Sequence, residues 1–132
     1  MHQELSLEKI KTIRDEMNSI KKINKSVLGM VLCTDEGLPV TSTFDNIEAS
    51  AVLSGATAAI RNVVNHYVKY LALRDFKRIV IDYENGGILI VEVTKHLYLL
   101  VVFEKPSPLG ILFRDVYAVI NKIKAQLPSG QR

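Results

Sequence analysis

The stretch Phe76–Glu104, FKRIVIDYENGGILIVEVTKHLYLLVVFE, holds three apolar runs separated by two tight breaks. Phe76 to Glu84 and Ile88 to Thr94 flank Asn85-Gly86-Gly87, and Asn-Gly is the strongest short-range hairpin signal. Lys95-His96 makes the second break, before a third strand over Leu97 to Glu104. With two-residue loops centred on Asn85-Gly86 and on Lys95-His96, side chains alternate between two faces. One face collects Ile79, Ile81, Tyr83, Ile88, Ile90, Leu99, Val101 and Phe103, with Glu92 its single charge. The other collects Val80, Leu89, Val91, Val93, Tyr98, Leu100 and Val102, and its polar members, Arg78 and Asp82, both lie on the first of the three strands. Both faces are apolar, so both need a covering layer. A buried carboxylate without a partner is costly, which places Glu92 near an end of the sheet or beside a base.

Upstream, Ile10, Ile13, Met17, Ile20 and Ile23 recur at helical spacing, and Ser6 can cap a helix from about Leu7 to Asn24. Val27 to Thr34 reads as a strand, Asp35-Glu36-Gly37 as a tight turn with Gly37 at positive φ, and Val40 to Phe44 as the returning strand. Asp45 or Asn46 then caps a long helix, expected over Ile47 to Leu73. After the three-strand run, Lys105-Pro106-Ser107-Pro108 is a break, with Ser107 expected as N-cap and Pro108 at the first position of a helix over Leu109 to Leu127. That last helix is expected to bury Leu109, Leu112, Phe113, Val116, Ile120, Ile123 and Leu127. The element order is αββαβββα: an α+β, three-layer sandwich in a single domain over residues 1–132, with its core at about 7–127 and a tail at 128–132.

Five strands at about 4.8 Å spacing make a sheet roughly 20 Å wide, whereas one helix covers about 10 Å. With two helices on one face, the other face has one helix and an uncovered apolar strip, which a second copy about a two-fold axis would close. A homodimer follows as the expectation. Winding the middle helix at 100° per residue sets Ala49, Leu53, Ala56, Ile60, Val63, Val64, Tyr67 and Leu71 against the sheet. The opposite side carries Ile47, Ala51, Ser54, Ala58, Arg61, Asn65, Lys69 and Ala72, with fewer charges than a solvent face needs. Ala51, Ser54, Gly55, Ala58 and Asn62, with Ile79, Ile81 and Tyr83 of the third strand, are the candidate dimer contacts. Arg61, Asn65, His66 and Lys69 are the candidate contacts for a further partner.

Apolar residues make up 48% of the 132 and charged ones 23%, a balance that excludes disorder. The longest unbroken apolar run, Leu97 to Phe103, is far shorter than the roughly 20 residues a membrane span needs. The start of the chain shows no secretory pattern, and one cysteine, Cys33, permits neither an internal disulfide nor a cysteine-clustered metal site. The expected location is the cytoplasm. Seventeen basic and 14 acidic residues are intermixed and Trp is absent, so there is little reason to expect a nucleic-acid partner.

Chemistry-bearing motifs are equally sparse. The sequence holds no phosphate loop and no Gly-x-Gly-x-x-Gly. No histidine or cysteine pair has metal-ligand spacing, and neither metal nor cofactor is expected. His2 falls near the chain start, His66 on the middle helix and His96 in a turn. Cys33, in a buried strand, reads as a small apolar filler, and no base and orienting group accompany any nucleophile. The carboxylate pairs Asp15-Glu16 and Asp35-Glu36 read as solvated charges. The chain is not expected to be an enzyme.

Leu28-Gly29-Met30-Val31-Leu32 followed by Asp35-Glu36-Gly37-Leu38-Pro39-Val40, the small-residue helix around Ala49-Ser50-Ala51 and Ser54 to Ala59, Ile88-Leu89-Ile90, Leu97 to Val102, and Leu109-Gly110 opening the last helix together resemble the roadblock/dynein-light-chain family. The likeness runs from about Leu7 to Leu127 and is nearest to its stand-alone prokaryotic members, the MglB-like regulators of Ras-like GTPases. It implies an antiparallel sheet in the order 2-1-5-4-3 with the middle helix alone on one face. It also implies dimerisation through that helix and the third strand, and a non-enzymatic adaptor that binds a Ras-like small GTPase and modulates its nucleotide cycle or localisation. A small-ligand sensor or a pure assembly scaffold of the same fold is the alternative. Nucleic-acid binding through Lys9, Lys11, Arg14, Lys21, Lys22 and Lys25 is a third reading, which strong salt-dependent binding would support.

Overall fold

The computed structural model describes residues 5–128 and 130; His2 and most of the expected tail lie outside them. The elements are α1 (Leu7–Ile23), β1 (Val27–Thr34), β2 (Pro39–Ser42), α2 (Ile47–Asn65), β3 (Arg78–Tyr83), β4 (Gly86–Thr94), β5 (Leu97–Glu104) and α3 (Leu109–Gln126). The five strands form one antiparallel sheet in the order β2-β1-β5-β4-β3, as expected. Helices α1 and α3 cover one face over Met30, Leu32, Leu89, Val91, Leu99, Val101 and Phe103. Helix α2 alone packs on the other, over Val31, Cys33, Ile90, Tyr98 and Leu100.

Local rules account for most boundaries. Ser6 caps α1, its hydroxyl accepting from Lys9 N at 3.1 Å, and Asn46 caps α2, accepting from Glu48 N and Ala49 N. Gly37 takes φ +90° in the β1–β2 turn. Where α3 begins, the expectation fails: the cap position is Pro108, in extended conformation, and the Ser107 hydroxyl instead meets Ser26 Oγ at 2.9 Å. Leu109 is exposed rather than buried, as is Ile23 of α1, and Val119 joins the α3 core.

Two registers differ from those expected. Strands β3 and β4 pair Ile81 with Ile88 and Tyr83 with Gly86, so the turn is Glu84-Asn85 and the register is displaced by two residues. A shift of two leaves each side chain on its expected face. Between β4 and β5 the consequence is larger. Thr94 pairs with Leu97, but Glu92 pairs with Tyr98, so Val93 is an extra residue in a β-bulge. The one-residue slip turns β5 over: Tyr98, Leu100 and Val102 face α2 with Ile88 and Ile90, while Leu99, Val101 and Phe103 face α1 and α3. Glu92 meets a base, Lys77 Nζ at 3.3 Å.

Helix α2 is shorter than expected. It gives way at Asn65 to a 3-10 turn, His66–Lys69, and residues 70–77 carry no helix. Val63, Val64, Asn65, His66, Tyr67 and Val68 are all weak helix formers, and the last turn of α2 carries no basic residue to offset the helix dipole. Strand β2 likewise stops at Ser42, and the Phe44 ring lies over Gly29.

A Cβ at Gly37 would strain the positive φ and sit 3.2 Å from Ala58 Cβ and 3.3 Å from Gly55 Cα. Gly37→Ala is therefore expected to destabilise the fold by about 1–3 kcal/mol, read as a lower urea midpoint with an unchanged slope.

Candidate functional site

The exposed apolar surface concentrates on the lone-helix side of the sheet. Helix α2 rests on β1, β2 and β5, which leaves the β3 side of that face uncovered. Its sheet-facing side is made of Ser50, Leu53, Ser54, Thr57, Ala58, Ile60 and Arg61. Of the candidate dimer contacts, then, Ser54 and Ala58 are turned inward. Ser54 is fully buried, donating to Ser50 O at 2.7 Å, and Ala58 packs on the Gly37 turn. Small side chains at these positions let α2 approach its own β1–β2 turn. Ala56, Val63 and Tyr67, expected against the sheet, are exposed.

The outward ridge of α2 carries Ala51, Val52, Gly55, Ala56, Ala59, Asn62 and Val63, and exposed His66, Tyr67 and Lys69 follow beyond its end. Val52, Val63 and Tyr67 are each more than 60% exposed. A stripe of this composition is suited to another protein rather than to water. Ile79 and Ile81 of β3 are half-buried on the same face, and Tyr83 is exposed. Strand β3 is an edge of the sheet, with no neighbour on its outer side among the described residues.

Arg61 does not project into solvent as expected. Its Nε donates to the Tyr98 hydroxyl at 2.8 Å, and its guanidinium lies 5.7 Å from the ring centroid. Phe76 stacks on the same ring at 5.8 Å. The hydrogen bond to Tyr98 raises Arg61 further above the ordinary guanidinium range, and burial pushes the Tyr98 phenol up. Asn65 is half-buried, and its Oδ1 is shielded from solvent without a hydrogen-bond partner among the described residues. Asn65 lines an apolar cavity of about 510 Å³ beside Val64, Tyr67, Leu71, Leu73 and Phe76.

On the opposite face of the β3 edge, Arg78 lies over the Phe113 ring and donates to the Tyr117 hydroxyl at 3.0 Å. Asp82 pairs with Lys105 at 2.7 Å. Two pairs had no signal in the sequence, because their members are distant in the chain. Asn24 Nδ2 donates to the buried Asp115 at 3.0 Å, and Asp35, expected to be solvated, meets His96 Nδ1 at 3.1 Å. Among the described residues no cluster of His, Cys, Asp or Glu could hold a metal ion, and no helix is long and apolar enough to cross a membrane.

With the sheet order, the solitary α2 and the open β3 edge in place, comparison with known proteins identifies the architecture. The profile of the Roadblock/LC7 domain matches residues 17–103. The chain belongs to the Roadblock/LC7 family. The matched segment spans the last turns of α1, the sheet and α2, so the α2 ridge and the β3 edge both lie within the Roadblock/LC7 portion. Among solved structures, it is similar to Myxococcus xanthus MglB (TM-score 0.81, 13% identity, covering 95% of this chain and 97% of that one). The gliding protein MglB of Thermus thermophilus is similar too (TM-score 0.80, 16% identity, 93% and 95% covered). So is a Roadblock/LC7 domain of Streptomyces avermitilis (TM-score 0.79, 9% identity, 85% and 94% covered). At such identities the likeness is one of fold. No curated protein sequence matches the chain.

Cys33 lies beneath α2, where burial pushes its thiol from 9.0 to about 11. The native state holds the proton while the unfolded chain releases it from about pH 9, so this group's contribution to stability declines as pH rises from 9.0 toward 11. At pH 8, iodoacetamide is expected to leave Cys33 of the folded protein unmodified and to alkylate it once urea unfolds the chain.

Proposed function

We propose that this Roadblock/LC7 protein is a non-enzymatic homodimeric adaptor that binds a Ras-like small GTPase and modulates its nucleotide cycle or localisation. The observation that carries this reading is the exposed apolar ridge of α2 beside an unpaired β3 edge, on the sheet face that has a single helix. Two copies joined along this side would cover the strip that one chain leaves open. Ala51, Gly55, Asn62, Ile79, Ile81 and Tyr83 then contribute to the dimer. The exposed His66 and Lys69, with what remains accessible of Arg61 and Asn65, face the GTPase beyond the end of α2. The fold likeness to MglB proteins supports this class of partner, and one of them is described in a tetrameric arrangement. Acting by preference for one nucleotide state, the adaptor would bias the GTPase's switch segments without contributing a reacting group.

Affinity capture on the full chain, run with GDP and with a non-hydrolysable GTP analogue, tests the partner. Enrichment of a Ras-like GTPase in one nucleotide state is the expected result; equal capture in both reduces the role to scaffold, and none in either refutes the partner. Ala59→Arg, at an exposed ridge position, is expected to weaken the dimer at least tenfold in sedimentation while leaving the far-ultraviolet circular dichroism spectrum of the folded chain unchanged.

A further inference from the structure

Basic and acidic residues are intermixed along the chain, but the fold sorts them. Helices α1 and α3, with Lys25 in the turn after α1, carry nine basic and four acidic residues, a net charge of +5. The whole chain is +3, so everything outside this layer is −2. Two of the four acids are neutralised within the layer. Glu16 pairs with Lys122 at 3.1 Å, and buried Asp115 takes Arg114 at 3.2 Å and the Asn24 amide at 3.0 Å. Glu8 and Asp15 remain as its exposed acids.

The positive charge concentrates where α1 ends. Lys21, Lys22 and Lys25 have no ion-pair partner among the described residues. With Asn18, Ser19 and Asp15 they line a polar groove of about 570 Å³. Two apolar side chains stand beside them: Ile23 is 68% exposed and Ile111 47%. The Asn24–Asp115 hydrogen bond sets the end of α1 against the early part of α3; Ile23 adjoins Asn24, and Ile111 lies one turn before Asp115.

Lysines around exposed isoleucines suit a surface of anionic lipid. Ammonium groups reach the headgroup phosphates, and the apolar side chains enter the acyl boundary. A nucleic acid also offers phosphates, but it gives the isoleucines nothing apolar to enter. Nor is an aromatic side chain of either helix exposed for stacking on bases: Phe113 and Tyr117 are half-buried and engaged by Arg78.

We propose that the α1–α3 face docks on an anionic phospholipid membrane, with Lys21, Lys22, Lys25 and Arg114 meeting headgroup phosphates while Ile23 and Ile111 enter the interface. The chain lies on the bilayer without crossing it. Because α2 packs on the opposite face of the sheet, its ridge points away from the lipid and stays open to protein partners. The inference goes beyond the adaptor reading, and either can fail alone.

Flotation of the full chain with vesicles tests it. Binding to equimolar phosphatidylglycerol and phosphatidylcholine is expected to be at least tenfold tighter than to phosphatidylcholine alone, and to weaken at least tenfold in about 0.5 M salt. Lys22→Glu with Lys25→Glu should weaken it at least tenfold. Arg74→Glu with Lys95→Glu makes the same change of net charge outside the layer and should alter binding less than roughly threefold. The chain has no tryptophan, so Ile23→Trp adds a single emission reporter, expected to shift to shorter wavelength on the anionic vesicles; Lys95→Trp is expected not to shift. All these positions are exposed, and each variant is expected to keep the wild-type circular dichroism spectrum. No binding to anionic vesicles, equal losses in the two charge-reversed pairs, or an unshifted Ile23→Trp would overturn the proposal. Tighter binding to a DNA duplex, lost in the Lys22–Lys25 variant, would also overturn it and assign the face to nucleic acid.

Discussion

A five-stranded sheet with two apolar faces has to be covered on both, and this chain has three helices with which to do it. Helices α1 and α3 share one face and bury its leucines and valines between them. The remaining face receives α2 alone, lying across β1, β2 and β5. Burial of apolar area is the main favourable term in folding, so the uncovered remainder along β3 is surface that another chain can use. The distribution of exposed residues follows from that shortage. Ile79 and Ile81 are half-buried because they sit at the margin of the α2 layer, whereas Ile90, one strand inward, is completely covered.

The β-bulge at Val93 makes the two-sided packing consistent. Without it, Tyr98 would face α1 and α3, and Arg61 would have no hydroxyl beneath α2 to bind. With it, the Arg61–Tyr98–Phe76 stack forms under the end of α2 and anchors the point where the helix turns into the 3-10 segment. One extra residue in a strand exchanges its faces, because side chains alternate with period two. The bulge therefore places aromatic and cationic groups that are 37 residues apart in the chain within hydrogen-bond reach.

Membership in the Roadblock/LC7 family and the position of the open surface are mutually consistent. The small residues of α2 divide between two roles. Ser54 and Ala58 admit the helix to its own β1–β2 turn, and Ala51, Gly55, Ala56 and Ala59 keep its outer ridge low. A helix narrow on both sides lies close to its sheet and also permits close approach from outside. Lys69 lies beyond its C-terminal end, where a cation is favoured by the helix dipole.

How much of this was legible beforehand depended on the range of the forces involved. Element order, the N-cap at Ser6, the positive φ at Gly37 and the double-sided hydrophobicity of the sheet are set by neighbours within a few residues, and the sequence by itself determined them, while leaving the cap of α2 between Asp45 and Asn46. The family resemblance, carried by the order of those local signals, supplied the strand order that pattern alone leaves open. The register of β5, the inward turn of Ser54, Ala58 and Arg61, the early end of α2 and the Asn24–Asp115 and Asp35–His96 pairs were decided only by the tertiary structure. Each depends on which side chain a distant strand or helix presents. A slip of one residue at Val93 costs little locally, yet it reverses a whole strand, and only the packing of both faces selects between the alternatives.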